Sequence, residues 1–287
     1  MRHDKIWTIL GIKIKFRKNY HNLLHRMYPE RDFSVCKNAG IFGGVFISGG
    51  YCYKIAGDLS AQRQISAAEI LKNKLGKVEI PDMEVRISGS KKVISYRLIE
   101  GETLADFLLT ASEQEKIKVA AEVGEMIAKM HSIDVSDISL EEKRNLCGIN
   151  RDNVDIKKLK KCKEKLGKEW DDILDELRLY QETDFMYEHP HLVHTDLNAG
   201  NMIIRNGHLV GLVDLDSVEI NANTYLGFSR IRDEAFEKKS IETYCKITGH
   251  TVDIKKLART VLKLNMYSVQ QICRHRLVEI FNYYSNS

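Results

Sequence analysis

The chain has 287 residues, 43% of them hydrophobic and 29% charged, with a formal net charge of +4 and only three prolines. That is long enough for one large domain or two lobes around a full core, and too apolar for disorder. The charge excess is too small to imply nucleic acid, and most of it lies in residues 1–37, where nine Lys/Arg face three Asp/Glu.

The cysteines, Cys36, Cys52, Cys147, Cys162, Cys245 and Cys273, form no CxxC pair and no zinc-spaced cluster with histidine. Scattered thiols suit a reducing cytoplasm. The N-terminus is wrong for a secretory signal, because Lys13, Lys15, Arg17 and Lys18 interrupt its apolar stretch. The longest uncharged run, Asn38 to Tyr53, is sixteen residues with five glycines, too short and too rich in turns to span a membrane. The basic N-terminus of the chain leaves peripheral membrane contact open.

In chain order, "KIWTILGIKIKFRK" alternates apolar and basic residues and reads as one or two short strands. Ser34 to Gly57 reads as three strands joined by glycine turns in "NAGIFGG" and "SGG". "LSAQRQISAAEILKNKL" predicts a helix with Ser60 as its N-cap. "PDMEVRISGSKKVISYRLIEG" predicts a hairpin ending at Gly101. Beyond Gly101 the pattern is helical, with Val119, Val123, Ile127 and Met130 at helical spacing. Residues 140–188 read as charged helix, in which the lysine-rich "DIKKLKKCKEKLGK" (155–168) is a solvated face. A hairpin and further helices complete the chain, with no repeat and no low-complexity linker. The expected class is α+β and bilobal. A basic N-terminal extension (1–33) precedes a small sheet-rich N-lobe (34–100), and a larger helical C-lobe (101–287) completes the chain.

The most informative stretch is "HLVHTDLNAGNMIIRNGHLVGLVDLD", residues 191–216. Asn206-Gly207 is a two-residue hairpin turn, since both positions accept positive φ. Ideal pairing sets Arg205 opposite His208 and Asn201 opposite Leu212, with Asp214 two residues on along the same face. Oxygens from Asn201 and Asp214 can then reach one magnesium ion. Asp196 stands five residues before Asn201 in a loop with Asn198 and Gly200. Phosphoryl transfer needs such a set: metal ligands for the phosphates and a separate carboxylate for the proton of the attacking hydroxyl. The order His194-x-Asp196-x4-Asn201, then a hairpin to Asp214, matches the kinase pattern of base and metal ligands.

On these residues, and on the upstream "RLIEGETLADFL" and "IAKMHSI", the chain resembles the superfamily of aminoglycoside phosphotransferases and choline kinases. The resemblance runs over roughly residues 34–230. It implies a bilobal protein-kinase-like fold with ATP or GTP and Mg²⁺ in the cleft. It makes Asp196 the catalytic base, His194 a brace for its loop, and Asn201 and Asp214 the magnesium ligands, with Asp216 ranked below Asp214. On the nucleotide side, Gly40, Gly43 and Gly44 supply a turn over the phosphates, although the pattern is not GxGxxG. Lys54, in "YCYKIAG", is the phosphate-contacting lysine. The helix position that normally pairs with it falls on Gln64, the nearest carboxylate being Glu69. Arg97 and Ile99 of "SYRLIEG" offer backbone groups to the base. Tyr96 either flanks that pocket or packs in the core.

Thr195 stands where protein kinases carry Arg, "DLDS" replaces DFG, and no APE follows. These absences favour a small hydroxyl-bearing acceptor, aminoglycoside-, sugar- or amino-alcohol-like. Candidate carboxylates for a polycation are Glu141, Glu142, Asp171, Asp172, Asp175, Glu176, Asp233 and Glu234. However, "VEINANTYLGFSR" replaces the family's glycine-Asp-Pro stretch after the metal Asp. The N-terminal stretch also resembles openings of bacterial surface-glycan biosynthesis proteins, which keeps a glycan sugar or its precursor among the acceptors. A pseudokinase or a protein-modifying kinase is the alternative of another class.

Overall fold

The computed structural model describes residues 19–36, 44–147, 190–228, 233–254, 256–257 and 260. The basic opening strands, Gly40, Gly43 and the lysine-rich segment 155–168 lie outside the described residues.

The N-lobe is an antiparallel sheet. Its strands are β1 (Ser34–Val35), β2 (Val45–Ser48), β3 (Tyr51–Ala56), β4 (Glu84–Ser88) and β5 (Lys91–Arg97), in the order β1-β2-β3-β5-β4. Strand periodicity divides its side chains between two faces. Phe46, Tyr53 and Val93 pack with Leu23 and Leu24 of helix α1 (residues 19–27) and with Tyr28 and Phe33 beyond it. Cys52, Ile94 and Tyr96 face the other way and meet Ala61 of helix α2 (Asp58–Leu71). Part of the expected N-terminal extension, from residue 20 onward, therefore packs into this lobe. Helix α2 starts earlier than expected. Its N-cap is Gly57, which places Ser60 inside the first turn with its hydroxyl free for another task.

The chain crosses to the C-lobe at Gly101. Its φ of +146° suits only glycine, and a Cβ there would meet the Ile204 carbonyl oxygen at 2.4 Å. Strand β6 (Glu102–Thr103) follows, then helices α3 (Leu104–Thr110), α4 (Glu113–His131) and α5 (Leu140–Asn145). The break between α3 and α4 has a local cause. The Ser112 side chain accepts from Glu115 N–H, and the Glu115 carboxylate accepts from the Ser112 backbone at 2.8 Å, a capping box. Strand β7 (His191–His194) pairs with β10 (Val218–Asn221). Strands β8 (Met202–Arg205) and β9 (His208–Leu212) pair as a hairpin whose outer edge on the β8 side is β6. Helix α6 (Glu234–Thr248) lies against α4. Val119, Val123, Ile127 and Met130, the stripe read from the sequence, are all buried in the C-lobe core. Fully burying each such side chain stabilises by roughly 1.5–3 kcal/mol. Among the described residues no helix is long and apolar enough to cross a membrane.

Two consequences of this packing are measurable. Helices α4 and α6 touch at Gly124, where a Cβ would meet the Ser240 carbonyl oxygen at 2.2 Å. In an open helix Gly→Ala would stabilise by up to about 1 kcal/mol. Here backbone blocks the methyl, so overpacking wins, and Gly124→Ala is expected to lose about 1–3 kcal/mol in a urea titration. The second consequence involves His131, 4% exposed at the end of α4, with Nδ1 at 3.1 Å from the Tyr244 hydroxyl. Burial, with His191 and His250 nearby, pushes its pKa down to about 3. The unfolded chain takes a proton near the ordinary value, so between these pH values it binds more protons than the folded one. Stability must fall as pH drops through about 6.5, by about 2–3 kcal/mol at pH ~4.5 from this group. Denaturation across that range should show the slope in the wild type, and His131→Gln should flatten it.

Candidate active site

The site begins with the hairpin. Asn206 (φ 54°) and Gly207 (φ 68°) make the expected turn, and Arg205 lies opposite His208. Beyond that the expected register fails. A bulge between Ile203 and Ile204 sets Leu212 opposite Met202, not opposite Asn201. Val210 is the extra residue, and its carbonyl accepts from Glu79 N–H at 2.8 Å, while Leu212 N–H donates to Glu79 O at 3.1 Å. The bulge is thus held by the α2–β4 linker. It leaves Val213 N–H donating to Asn201 O at 2.9 Å, so Asp214 directly follows Asn201's backbone partner. Asp214 adopts the left-handed conformation (φ 62°, ψ 52°), which ends the strand and turns the chain into the 3-10 segment Leu215–Ser217. Asp tolerates this region better than most residues.

The loop before β8 is tied to itself. Asn198 Nδ2 donates to Asp196 Oδ1 at 3.2 Å, and Asn198 Oδ1 accepts from Gly200 N–H at 2.8 Å. Asn201 Nδ2 donates to the Asp196 carbonyl at 2.9 Å. His194 is fully buried, and its Nδ1 accepts from Asp196 N–H at 3.2 Å. Burial holds His194 below its ordinary pKa, against the raising influence of Asp196, Asp214, Asp216 and the Val213 carbonyl. The ring is therefore neutral, with its proton on Nε2. Thr195 N–H and hydroxyl both reach the Ser217 carbonyl, at 2.8 and 3.0 Å, which joins this loop to the segment after Asp214.

Lys54 enters from the other lobe. Its ammonium donates to Asp214 Oδ1 and stands 3.4 Å from Asp216 Oδ2. Burial pulls the Lys54 pKa down, but the two carboxylates outweigh it, and the net shift is upward. The pair's contribution is intact below lysine's ordinary pKa and is lost only as pH climbs through the raised one.

Gln64 makes no hydrogen bond to Lys54. Its Nε2 reaches Ser60 O and Oγ at 3.5 and 3.4 Å, and Ser60 Oγ donates to Asp216 Oδ2 at 2.9 Å. Glu69 is exposed, and no ion pair joins it to Lys54. The expected helix partner is thus replaced by Asp216, with Ser60 between helix and carboxylate. The sequence reading missed Ser60, Asn198 and this role of Asp216. Only Asn198 left a local trace, as a short amide two residues after Asp196.

At the lobe junction Leu98 N–H donates to Gly50 O at 2.9 Å. Antiparallel pairs alternate, so Arg97, opposite Tyr51, turns its backbone groups away from β3, where β4 has already ended opposite Ser95. Ile99 is buried beside them. Tyr96 is also buried, packed with Cys52 and Ile94, and burial drives its pKa well above 10. Its place is in the core. A Cβ built on Gly44 would lie 3.7 Å from the Tyr20 ring, an ordinary contact.

Among the described residues no three His, Cys, Asp or Glu side chains gather as a metal site. Magnesium does not require one, because it commonly takes one or two carboxylates and completes its shell with water and phosphate. Asn201 Oδ1 and Asp214 Oδ2 accept no hydrogen bond among the described residues, and the Lys54 cation already sits on Asp214. Hard oxygen donors with open lone pairs, in a place that attracts positive charge, fit that ion.

A sheet-rich lobe and a helical lobe that meet where Lys54 reaches Asp214 and Asp216 define a kinase-like α+β protein. The phosphotransferase enzyme family matches residues 56–222, more than half of the chain, and the chain belongs to that family. Among curated proteins none matches. Solved structures are similar over nearly the whole length. The GDP complex of an aminoglycoside 2'-phosphotransferase-IIIa mutant shares 15% identity at a TM-score of 0.69, over 94% of this chain and 95% of that one. The GDP and kanamycin complex of APH(2")-IIIa shares 17% at 0.64, over 93% and 96%. The streptomycin–ATP complex of APH(2")-IIa shares 21% at 0.60, over 92% and 95%.

Proposed function

We propose that this phosphotransferase is a magnesium-dependent kinase of small molecules, moving the γ-phosphate of ATP or GTP to a sugar or amino-alcohol hydroxyl. The observation that carries the reading is the meeting of Lys54, from the N-lobe, with the loop-and-hairpin unit that bears Asp196, Asn201 and Asp214. In this reading residues 34–100 hold the nucleotide. Gly40, Gly43 and Gly44 cover the phosphates, Lys54 grips them, and the Arg97 and Ile99 backbone meets the base. Asn201 and Asp214 hold Mg²⁺, which would neutralise charge developing on the phosphate oxygens. Asp196 accepts the proton of the attacking hydroxyl, and neutral His194 keeps its loop in place. Transfer is direct and in line, because the loop offers no Cys for a phospho-enzyme and His194 is buried.

Neighbouring structures hold kanamycin or streptomycin, both polycations. Two carboxylates considered for that role are engaged elsewhere in this chain. Glu142 closes the capping box of α5 with Ser139, and Asp233 caps α6. A surface-glycan sugar or its precursor stays among the acceptors, because "VEINANTYLGFSR" stands in place of the glycine-Asp-Pro stretch after the metal Asp. The test is nucleoside-diphosphate release with ATP or GTP over a panel of sugars, nucleotide sugars, amino alcohols, aminoglycosides and protein substrates. Transfer to one small-molecule class, abolished by EDTA, is expected. Transfer to proteins alone would sink the reading.

A further inference from the structure

We infer that Asp216, fastened to helix α2 through Ser60 and Gln64, is the carboxylate that positions Lys54 for the nucleotide phosphates. The inference rests on the phosphotransfer reading above and assigns to Asp216 a task other than metal binding.

The argument starts from charge. Lys54 is mostly buried, its side chain 16% exposed, and a buried ammonium needs an anion beside it. Asp214 serves in this structure, but Asp214 is also the carboxylate proposed for the metal. Once its oxygens turn to a divalent cation, Lys54 must find its counter-charge elsewhere. Gln64 is neutral and bonds to Ser60, and Glu69 is exposed. Asp216 is the remaining carboxylate beside the amine, at 3.4 Å.

The bonds around Asp216 also have a direction. Gln64 Nε2 can only donate, so Ser60 Oγ accepts from it and turns its own proton toward Asp216 Oδ2, 2.9 Å away. Ser217 Oγ lies 3.4 Å from the other oxygen. The relay therefore ties the position of the carboxylate to α2. It also explains why position 64 is an amide. A glutamate there would set a second carboxylate against Ser60 and Asp216, where like charges repel. With the anion already supplied from the segment after Asp214, the helix contributes a neutral donor. Asp216 is a positioning residue in this scheme, acting through Lys54.

The test uses the full chain, with ATP binding measured by calorimetry in EDTA and again in Mg²⁺. Asp216→Asn is expected to weaken ATP roughly 10–100-fold in Mg²⁺, the size of a lost charge-assisted bond, and by less in EDTA, where Asp214 still holds the amine. Ser60→Ala should weaken it about threefold in the same direction. Adding Gln64→Glu to Asp216→Asn returns a carboxylate from the helix side and should recover most of the loss. A higher Mg²⁺ concentration for half-maximal ATP binding in Asp216→Asn would make Asp216 a metal ligand, and absence of recovery would deny the charge relocation; either overturns the inference alone. A wild-type chain that binds neither ATP nor GTP would overturn the phosphotransfer reading, and the inference with it. Melting of the ligand-free protein gives a second measurement. The double variant Lys54→Met/Asp216→Asn should melt with the less stable single variant, whereas additive losses would overturn the pairing.

Discussion

Asp196→Asn is expected to lower kcat by about 10²–10⁴-fold, the usual size of a general-base contribution. Folding and ATP binding should stay close to wild type. The substitution is isosteric, and the loop geometry it leaves behind is held by other atoms. Asn201 Nδ2 donates to the Asp196 backbone carbonyl, and His194 Nδ1 accepts from the Asp196 backbone N–H. Asn198 Nδ2 loses a carboxylate oxygen but can keep an amide oxygen in its place. What disappears is the ability to take a proton. Calorimetry separates this from a structural effect: if Asp196 is the base, ATP affinity and melting temperature should hold while most of the rate is lost. Unchanged turnover on the true acceptor would remove Asp196 from the mechanism.

Legibility in the sequence followed the range of the interactions. The Asn206-Gly207 turn and the helical stripe of α4 are set by neighbours within a few residues, and each stands where the pattern put it. The bulge at Val210 was not legible, because its carbonyl is taken by Glu79, more than a hundred residues earlier. Without that partner the ideal register is the natural expectation, and it misplaced Asn201 by one residue. The same holds for Lys54. A lysine in an apolar strand announces itself, but its two carboxylates lie 160 and 162 residues away. Ser60 misled for a different reason. A serine near a helix start is a good N-cap, yet Gly57 already begins the helix and Ser60 has a tertiary partner in Asp216. Nor could sequence tell that the residues just before β1 belong to the N-lobe core, since Leu24 and Tyr28 find Phe46 and Tyr53 only once the sheet has formed.

Asp214→Asn should separate the metal from the nucleotide, with effects of opposite sign. Asn accepts the left-handed backbone at this position (φ 62°) as readily as Asp, so the turn into Leu215–Ser217 survives. The charge does not survive. With Mg²⁺, the variant should bind ATP more weakly and lose about 10³-fold in kcat/KM, equivalent to about 4 kcal/mol of charge stabilisation. Without metal the balance reverses. Asp214 repels the incoming phosphates and holds the Lys54 ammonium to itself. Removing its charge lifts that repulsion and frees the amine, so metal-free ATP binding should hold or tighten by a few-fold, on the scale of one screened ion pair. Asp216→Asn should instead weaken both. Calorimetry in EDTA and in Mg²⁺ reads the two signs directly, and the Mg²⁺ concentration for half-maximal activity should rise in Asp214→Asn. Equal losses with and without metal would mean that Asp214 serves only as the anchor of Lys54, and the hairpin would no longer be the metal site.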